Sequence, residues 1–430
     1  YDVIVVGSGA GGGPLAHGLA KRGRKVLIIE AGPDFKEEHR GKFLPTVIMN
    51  GYYHNMAALS LSLQGTIIYH SKNVGGTTVV ACGNMVRSCQ EEFLSHGIDL
   101  EKPFLQAEKD YNVSPLPGKL IVKGTRKIME ASNDLGYKMV PMPKGISKRE
   151  KCNYCGDCVL GCKTGFKLDA AMYTKGALKL GAELLTSTKI RRVLLDKRGQ
   201  AIGVETTKGL QISSDQVVLA AGGLNTPVIL QNSNAGKQRI SAGNRLFIDP
   251  FVVTYGVVDN LSQVQGPSMG AVFADWHKSD GFILSPFMDH WSQFGMFCPT
   301  LWNLMNRFPL KRVVGIMAKV TDEMKGRVYS NGLISKKLTE QDKRRLSAGA
   351  EVSGQILLNM GARSVVTTAQ PRGAHPGGTA AIGSVLENGT LQVKGTKGLY
   401  VCDASVFPVT PGLPPILTIT ALAKWLAVRL

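Results

Sequence analysis

The sequence predicts an α/β protein: a Rossmann-type domain, discontinuous in the chain, with a second α+β domain built on an antiparallel sheet between its parts. Three observations carry this. The chain opens on a short apolar run, a glycine turn and a helical pattern; it changes to aromatic- and methionine-rich sequence after Arg245; and it returns to glycine-rich sequence of the first kind from His375.

Asp2 to Val6 is an apolar run the length of one buried strand, and Gly7-Ser8-Gly9-Ala10-Gly11-Gly12 follows at once. A helical pattern then runs through Leu15, Leu19 and Ala20, and a second apolar run, Val26 to Ile29, ends on Glu30. Strand, glycine turn, helix, strand and acid together form the dinucleotide-binding arrangement. Gly7 permits the tight turn, Gly9 lets a pyrophosphate approach the backbone, and Gly12 allows close helix–strand packing. The helix N-terminus offers N–H groups and partial positive charge to a phosphate. Glu30 is spaced to accept hydrogen bonds from a ribose. The alternative is an ordinary βαβ glycine turn.

Further along, Thr66 to Tyr69 reads as a strand, and Asn73 to Thr78 as a second glycine turn opening an apolar segment that ends at Asn84. Glu91 to Ser114 reads as largely helical, Lys144 to Phe166 as a loop rich in Lys, Cys and Gly, and Leu168 to Leu180 as a helix. Strands are expected at Glu183 to Leu185, Ile190 to Asp196, Ala201 to Thr206, Gly209 to Ser213 and Gln216 to Ala221, with a hairpin at Lys197 to Gln200. Pro227 suits the first turn of the helix that follows. A helix is expected from Glu340 to Met360, a strand from Leu399 to Asp403, and a closing helix after Pro415. The expected domains are 1–244 and 368–430 for the Rossmann part, with the cysteine loop at 144–167, and 245–367 for the second domain.

No run of 18 apolar residues occurs, so no transmembrane helix is expected. With a strand beginning at residue 2, no signal peptide is expected either, although the sequence opens on Tyr1; a cytoplasmic location follows as the expectation. The formal charge of +19 is read as a solvated basic surface, or as complementary to an acidic protein partner or an anionic membrane surface. Nucleic acid is excluded as a partner, because no binding motif accompanies the charge. Phe287 to Met317, where Trp, Phe and Met flank Arg307, Lys311 and Arg312, reads as an interfacial segment or a substrate lid.

Four of the eight cysteines, Cys152, Cys155, Cys158 and Cys162, fall within eleven residues. That crowding favours a reducing compartment and a metal centre over scattered disulfides. The spacing is that of a bacterial ferredoxin run, which wraps an iron–sulfur cluster, 4Fe-4S in the first instance. Cys162 or a distant cysteine such as Cys82 or Cys89 completes the site, or three thiolates hold a three-iron cluster. Lys163 stands where proline usually follows the fourth cysteine. Zinc, disulfides and a metal-free loop are the alternatives. A cluster would pass electrons on singly, as in a dehydrogenase feeding an acidic redox protein or redox complex rather than O₂.

Six separated motifs, in order, resemble the glucose–methanol–choline (GMC) flavoprotein oxidoreductases: Asp2 to Gly32; Gly75-Gly76-Thr77 with Gly83-Asn84; Val217 to Pro227; His375-Pro376-Gly377-Gly378-Thr379; Leu399 to Ser405; and Thr418 to Ala423. The resemblance implies FAD bound by Gly7, Gly9, Gly12 and Glu30, with Gly76, Thr77 and the segment to Asn84 around the pyrophosphate and isoalloxazine. It implies Val193 near the adenine, and Asp403 with Ser405 near the ribityl chain. No histidine lies between His70 and His96, so no histidyl–FAD bond is expected near Thr77. His375 matches the family's active-site histidine, and an imidazole suits a base that takes a hydroxyl proton while hydride leaves for the flavin. The sequence departs from the family at Pro414, where relatives carry Asn or His. The implied activity is an FAD-dependent dehydrogenase of a CH–OH substrate. The alternatives are a reductase of a ketone or activated alkene, and an electron-transfer subunit of a larger complex.

Overall fold

Val3–Val6 lies at the centre of a five-stranded sheet, flanked on one side by Val217–Leu219 and Leu399–Val401 and on the other by Val26–Ile29 and Glu183–Leu185. The computed structural model describes residues 1–35, 52–54, 57–235, 238–263, 265–289 and 312–430. Every pairing in this sheet is parallel. A parallel sheet is covered on both faces, which is why its strands read as unbroken apolar runs. Helices Gly12–Lys21, Ala171–Lys179 and Ile416–Ala427 supply part of the cover through Leu15, Leu19, Tyr173, Ala177, Leu422 and Trp425, and the antiparallel strands Ile190–Leu195 and Ala201–Thr206 add Ile190, Val193 and Val204 to the same core. The first and last strands of the domain in sequence thus share one sheet.

The second sheet is built around Pro250–Val257, which pairs antiparallel with Val313–Val320; Phe282–Pro286 pairs antiparallel on the far side of the latter. Alternation gives its two faces different partners. Val252, Leu284, Val314, Ile316 and Ala318 pack under the long helix Glu340–Asn359 through Leu346, Val352, Ile356 and Leu357. Phe251, Val253, Tyr255, Ile283, Val313 and Met317 point the other way and meet Cys82, Val86, Ala374 and Leu413. That second face thus packs against segments from both earlier and later in the chain.

Several expectations change. The second sheet is antiparallel as expected in all pairings but one: Arg372–Gly373 pairs in parallel with Ile67–Ser71. It also recruits Tyr52–His54, Ala57–Leu61 and Ile67–Ser71, so a boundary at 244/245 does not separate the sheets; the N-terminal hairpin covers an edge that would otherwise expose unpaired backbone groups. The helix expected over Glu91 to Ser114 is two helices, Gln90–Ser95 and Glu101–Asp110, followed by a strand at Val113–Pro115. The break falls at Gly97, whose φ of +80° no continuing helix can hold. Pro227 lies inside the helix Gly222–Gln231, not in its first turn. The carbonyl of Gly223, which an amide at 227 would have bonded, instead accepts from the Thr379 hydroxyl at 2.8 Å. The membrane or lid reading of Phe287 to Met317 falls largely outside the described residues. No described helix is long and apolar enough to cross a membrane.

Candidate active site

The glycine turn is set by close backbone approach. A Cβ at Gly7 would lie 2.3 Å from the Ala220 carbonyl oxygen, one at Gly12 would lie 1.9 Å from that of Gly7, and one at Gly11 1.7 Å from that of Cys402. Gly9 is the open member: its nearest neighbour is the Gly76 Cα at 3.7 Å. The two glycine turns therefore face each other. They are tied together by Ser8, whose Oγ accepts from the Gly75 N–H at 3.1 Å and donates to Glu30 at 2.6 Å. No side chain caps the helix Gly12–Lys21; the Gly13 N–H goes to the Gly9 carbonyl at 3.1 Å and Pro14 has none, so the Gly12 N–H is the first-turn donor left for an anion.

Glu30 is buried and accepts from the Ser8 N–H at 3.0 Å, the Ser8 hydroxyl, and the Gly32 N–H at 2.9 Å. Burial pushes the Glu30 carboxyl up, and these hydrogen bonds oppose it. Asp403 accepts from the Gly222 N–H, the Thr226 hydroxyl, and the N–H and hydroxyl of Ser405. Asp403 and Ser405 thus fasten the Cys402 strand end against Gly11. Val193 is buried on the strand Ile190–Leu195, with its N–H given to the Ser233 hydroxyl at 2.8 Å. What meets the Glu30 turn is an earlier stretch, with Thr188 N–H donating to the Glu30 carbonyl and Ser187 N–H to that of Gly32. A dinucleotide fits this cradle. Gly11→Val is expected to abolish FAD retention, because the new side chain would have to displace the Cys402 backbone; flavin absorbance after gel filtration measures it.

The segment from Gly76 to Asn84 is held from behind by two buried lysines that the sequence reading passed over. Lys167 Nζ donates to the carbonyls of Thr78, Val79 and Ala81 at 3.3, 2.5 and 2.7 Å. Lys144 Nζ donates to the Cys82 carbonyl at 2.9 Å and to the Asn84 side chain at 2.7 Å. Burial brings Lys144 down to about 8. The Thr77 hydroxyl accepts from the Ser71 N–H, so this loop is anchored to the second sheet as well.

His375 sits on a turn pinned to the start of the central strand: the N–H groups of Ala374 and His375 donate to the Ile248 carbonyl at 3.0 and 3.1 Å. This brings its Nδ1 within 2.9 Å of the Asp249 carboxylate and 3.4 Å of Lys319 Nζ. Asp249 is fully buried while the His375 side chain is 21% exposed. The other Asp249 oxygen accepts from the Gly412 N–H at 3.1 Å, and His277 Nε2 lies 2.9 Å from the neighbouring Pro411 carbonyl. Burial, aided by the Lys319 ammonium, holds His375 well below the ordinary imidazole value. Burial pushes Asp249 up and Lys319 down, each opposed by the other's charge. A carboxylate on Nδ1 selects the Nδ1–H tautomer and leaves the Nε2 lone pair as the base. Among the described residues Nε2 has no hydrogen-bond partner.

The cysteine loop forms a separate pocket. Cys152, Cys155, Cys158 and Cys162 all line it, with Tyr154, Phe166 and Lys167. Every described cysteine is a free thiol. Among the described residues no three His, Cys, Asp or Glu side chains converge as metal ligands. The Lys167 N–H lies 3.4 Å from Cys162 Sγ. Burial pushes Cys162 up, but the Thr164 hydroxyl and the Lys167 backbone and charge outweigh it, and the thiol ends below its ordinary value. Cys158 is pushed up to about 11 by burial.

Comparison with known proteins places these features in a family. Family models described as GMC oxidoreductase match residues 49–251 and 310–423, and one described as FAD binding domain matches residues 2–39. A protein of Methanocaldococcus jannaschii is 28% identical over 99% of this chain and 98% of its own length. An uncharacterised GMC-type oxidoreductase of Mycobacterium tuberculosis is 27% identical over 98% of this chain and 74% of its own. A long-chain-alcohol oxidase of Arabidopsis thaliana is 26% identical over 100% of this chain and 67% of its own. Among solved structures, a variant of the Aspergillus oryzae formate oxidase superposes with a TM-score of 0.74 at 16% identity, covering 100% of this chain and 97% of that one.

Proposed function

We propose, on the premise that this chain belongs to the GMC oxidoreductases and is an FAD-dependent enzyme acting on CH–OH groups, that it oxidises alcohols carrying an apolar chain, with His375 Nε2 as the base. The observation that carries this reading is the Asp249–His375 pair at 2.9 Å, on a turn that also touches this apolar face of the second sheet. Bound FAD would supply the hydride acceptor. His375 takes the hydroxyl proton as the carbinol hydride departs, and Asp249 balances the imidazolium that results. Ala374 and Leu413, on either side of this site, pack against Phe251, Tyr255, Phe287 and Met317, which suits an apolar substrate body and keeps water from the reacting carbon. Relatives named long-chain-alcohol oxidases point the same way. Across a series of primary alcohols, kcat/KM should rise by about fourfold per methylene until the pocket is filled, as follows from about 0.8 kcal/mol for each buried CH₂. A flat series would sink the apolar-chain reading.

The second part of the reading concerns where the electrons go. The ferredoxin-like spacing of Cys152, Cys155, Cys158 and Cys162, which line one pocket but do not converge as ligands in this structure, is what supports an iron–sulfur cluster, which would supply one-electron transfer to an acidic protein acceptor attracted by the basic surface. The free thiols also suit a reducing, cytoplasmic setting. Purified without air, the protein should then contain iron and acid-labile sulfide, about four of each per chain for a single cubane, and lose both in the Cys155→Ser and Cys158→Ser variants. Absence of iron makes the loop structural and turns attention to O₂ as acceptor.

A further inference from the structure

Lys319 is out of keeping with its strand. Val313–Val320 is buried along its whole length, and period-two alternation puts Lys319 on the face shared by Val313 and Met317, the face that meets Ala374 and Leu413. Its ammonium is removed from water, which is costly unless a charge partner compensates. The hydrogen-bond partner of its Nζ among the described residues is His375 Nδ1, at 3.4 Å. Both neighbours of that nitrogen cannot bond it alike: an ammonium only donates and a carboxylate only accepts. The shorter contact, 2.9 Å to Asp249, engages the Nδ1 proton, and Lys319 is left as a cation at the edge of the buried Asp249–His375 pair, 3.4 Å from the shared Nδ1. At the other side of the site Pro414, buried in the loop that also supplies the Gly412 N–H to Asp249, has no side-chain group to share the work.

We propose that Lys319 is a positioning residue for proton transfer: its ammonium keeps Asp249 ionised, Asp249 holds His375 as the Nδ1–H tautomer, and Nε2 is thereby kept free to receive the substrate proton. The inference rests on the reading of His375 as the base. The charged and titratable groups around this trio are Cys82, which faces Lys319, and His277, Lys336, Asp322 and Cys89, which face Asp249. None of them replaces Lys319: Lys336 is engaged by Asp322 at 2.6 Å and His277 by the Pro411 carbonyl at 2.9 Å.

The test is a ¹⁵N-histidine NMR titration of the FAD-loaded enzyme, which needs no substrate. In the wild-type protein His375 should show a protonated Nδ1 and a bare Nε2 down to pH values below the ordinary imidazole range. In Lys319→Met the opposing ammonium is gone, so the His375 pKa should rise by about one unit or more, and the Nδ1–H preference should weaken as Asp249 takes up a proton. Lys319→Arg should restore both. With 1-octanol as the probe substrate, the acid limb of kcat/KM should move to higher pH by the same amount in Lys319→Met and stay put in Lys319→Arg. A wild-type His375 in the Nε2–H tautomer, or a His375 titration unchanged in Lys319→Met, overturns the proposal. The wild-type measurement decides even if the methionine variant fails to fold. If the NMR outcome holds while no alcohol is turned over, it is the functional reading, and not the role of Lys319, that has failed.

Discussion

His375→Gln should retain FAD and lose about 10²–10⁴-fold in kcat/KM, the usual contribution of a positioned general base. The retention of FAD follows from how the turn is held. Its backbone is bonded to the Ile248 carbonyl, and Phe247 and Gly377 exchange hydrogen bonds at 3.1 Å in both directions; none of these uses the imidazole. A glutamine amide can still donate to Asp249, so the buried carboxylate keeps a partner. What it lacks is a basic lone pair at the position of Nε2. Steady-state kinetics with flavin content measured on the same sample separates the effects. Loss of FAD in parallel with activity would assign His375 to packing instead.

Lys336→Met should destabilise the protein by about 3–5 kcal/mol, the range for stranding one partner of a buried ion pair. Lys336 and Asp322 are both fully buried with Nζ and Oδ2 2.6 Å apart. Lys336 also donates to the carbonyls of Leu246 and Glu323 at 3.2 and 2.6 Å. Asp322 in turn accepts from the N–H groups of Ile248 and Asp249. The pair therefore fixes the backbone that delivers Asp249 to His375, and activity should fall in the variant even below its unfolding transition. Denaturant titration of the FAD-loaded protein gives the stability change. A shift under about 1 kcal/mol, the level of an exposed pair, would show that the pair is not a structural fastening.

The parts of the site that could be read in advance are those written locally. The glycine turn, Glu30 and the cysteine spacing each lie within a few residues, because strand, turn and helix follow one another in the chain. His375 was legible because it starts its own glycine motif. Asp249, Lys319, His277 and Lys336 were not. Asp249 and Lys319 are brought together by the register of Pro250–Val257 against Val313–Val320, where Phe251 stands opposite Lys319; His277 and Lys336 come from segments outside that pair, and nothing near any one of them in sequence names the others. The single local signal was a lysine in the eighth-residue-long apolar run Val313–Val320, which period-two alternation places on an inward face. Val193 is a different case. The strand was found, but its buried N–H is already spent on Ser233, and the neighbours of Glu30 are Ser187 and Thr188. The one parallel pairing of the second sheet was hidden for a similar reason: the strands Ile67–Ser71 and Arg372–Gly373 are about three hundred residues apart and only two residues of the latter pair.

The reading of this chain as an FAD-dependent oxidoreductase of alcohols with His375 as its base is tested most directly by anaerobic rapid mixing with a primary alcohol, following the visible absorbance of the flavin through a single turnover. The account predicts full bleaching by the wild-type enzyme, and bleaching in His375→Gln slowed by about 10²–10⁴-fold. Flavin that stays oxidised with every alcohol offered, or that bleaches equally fast in both proteins, would contradict it.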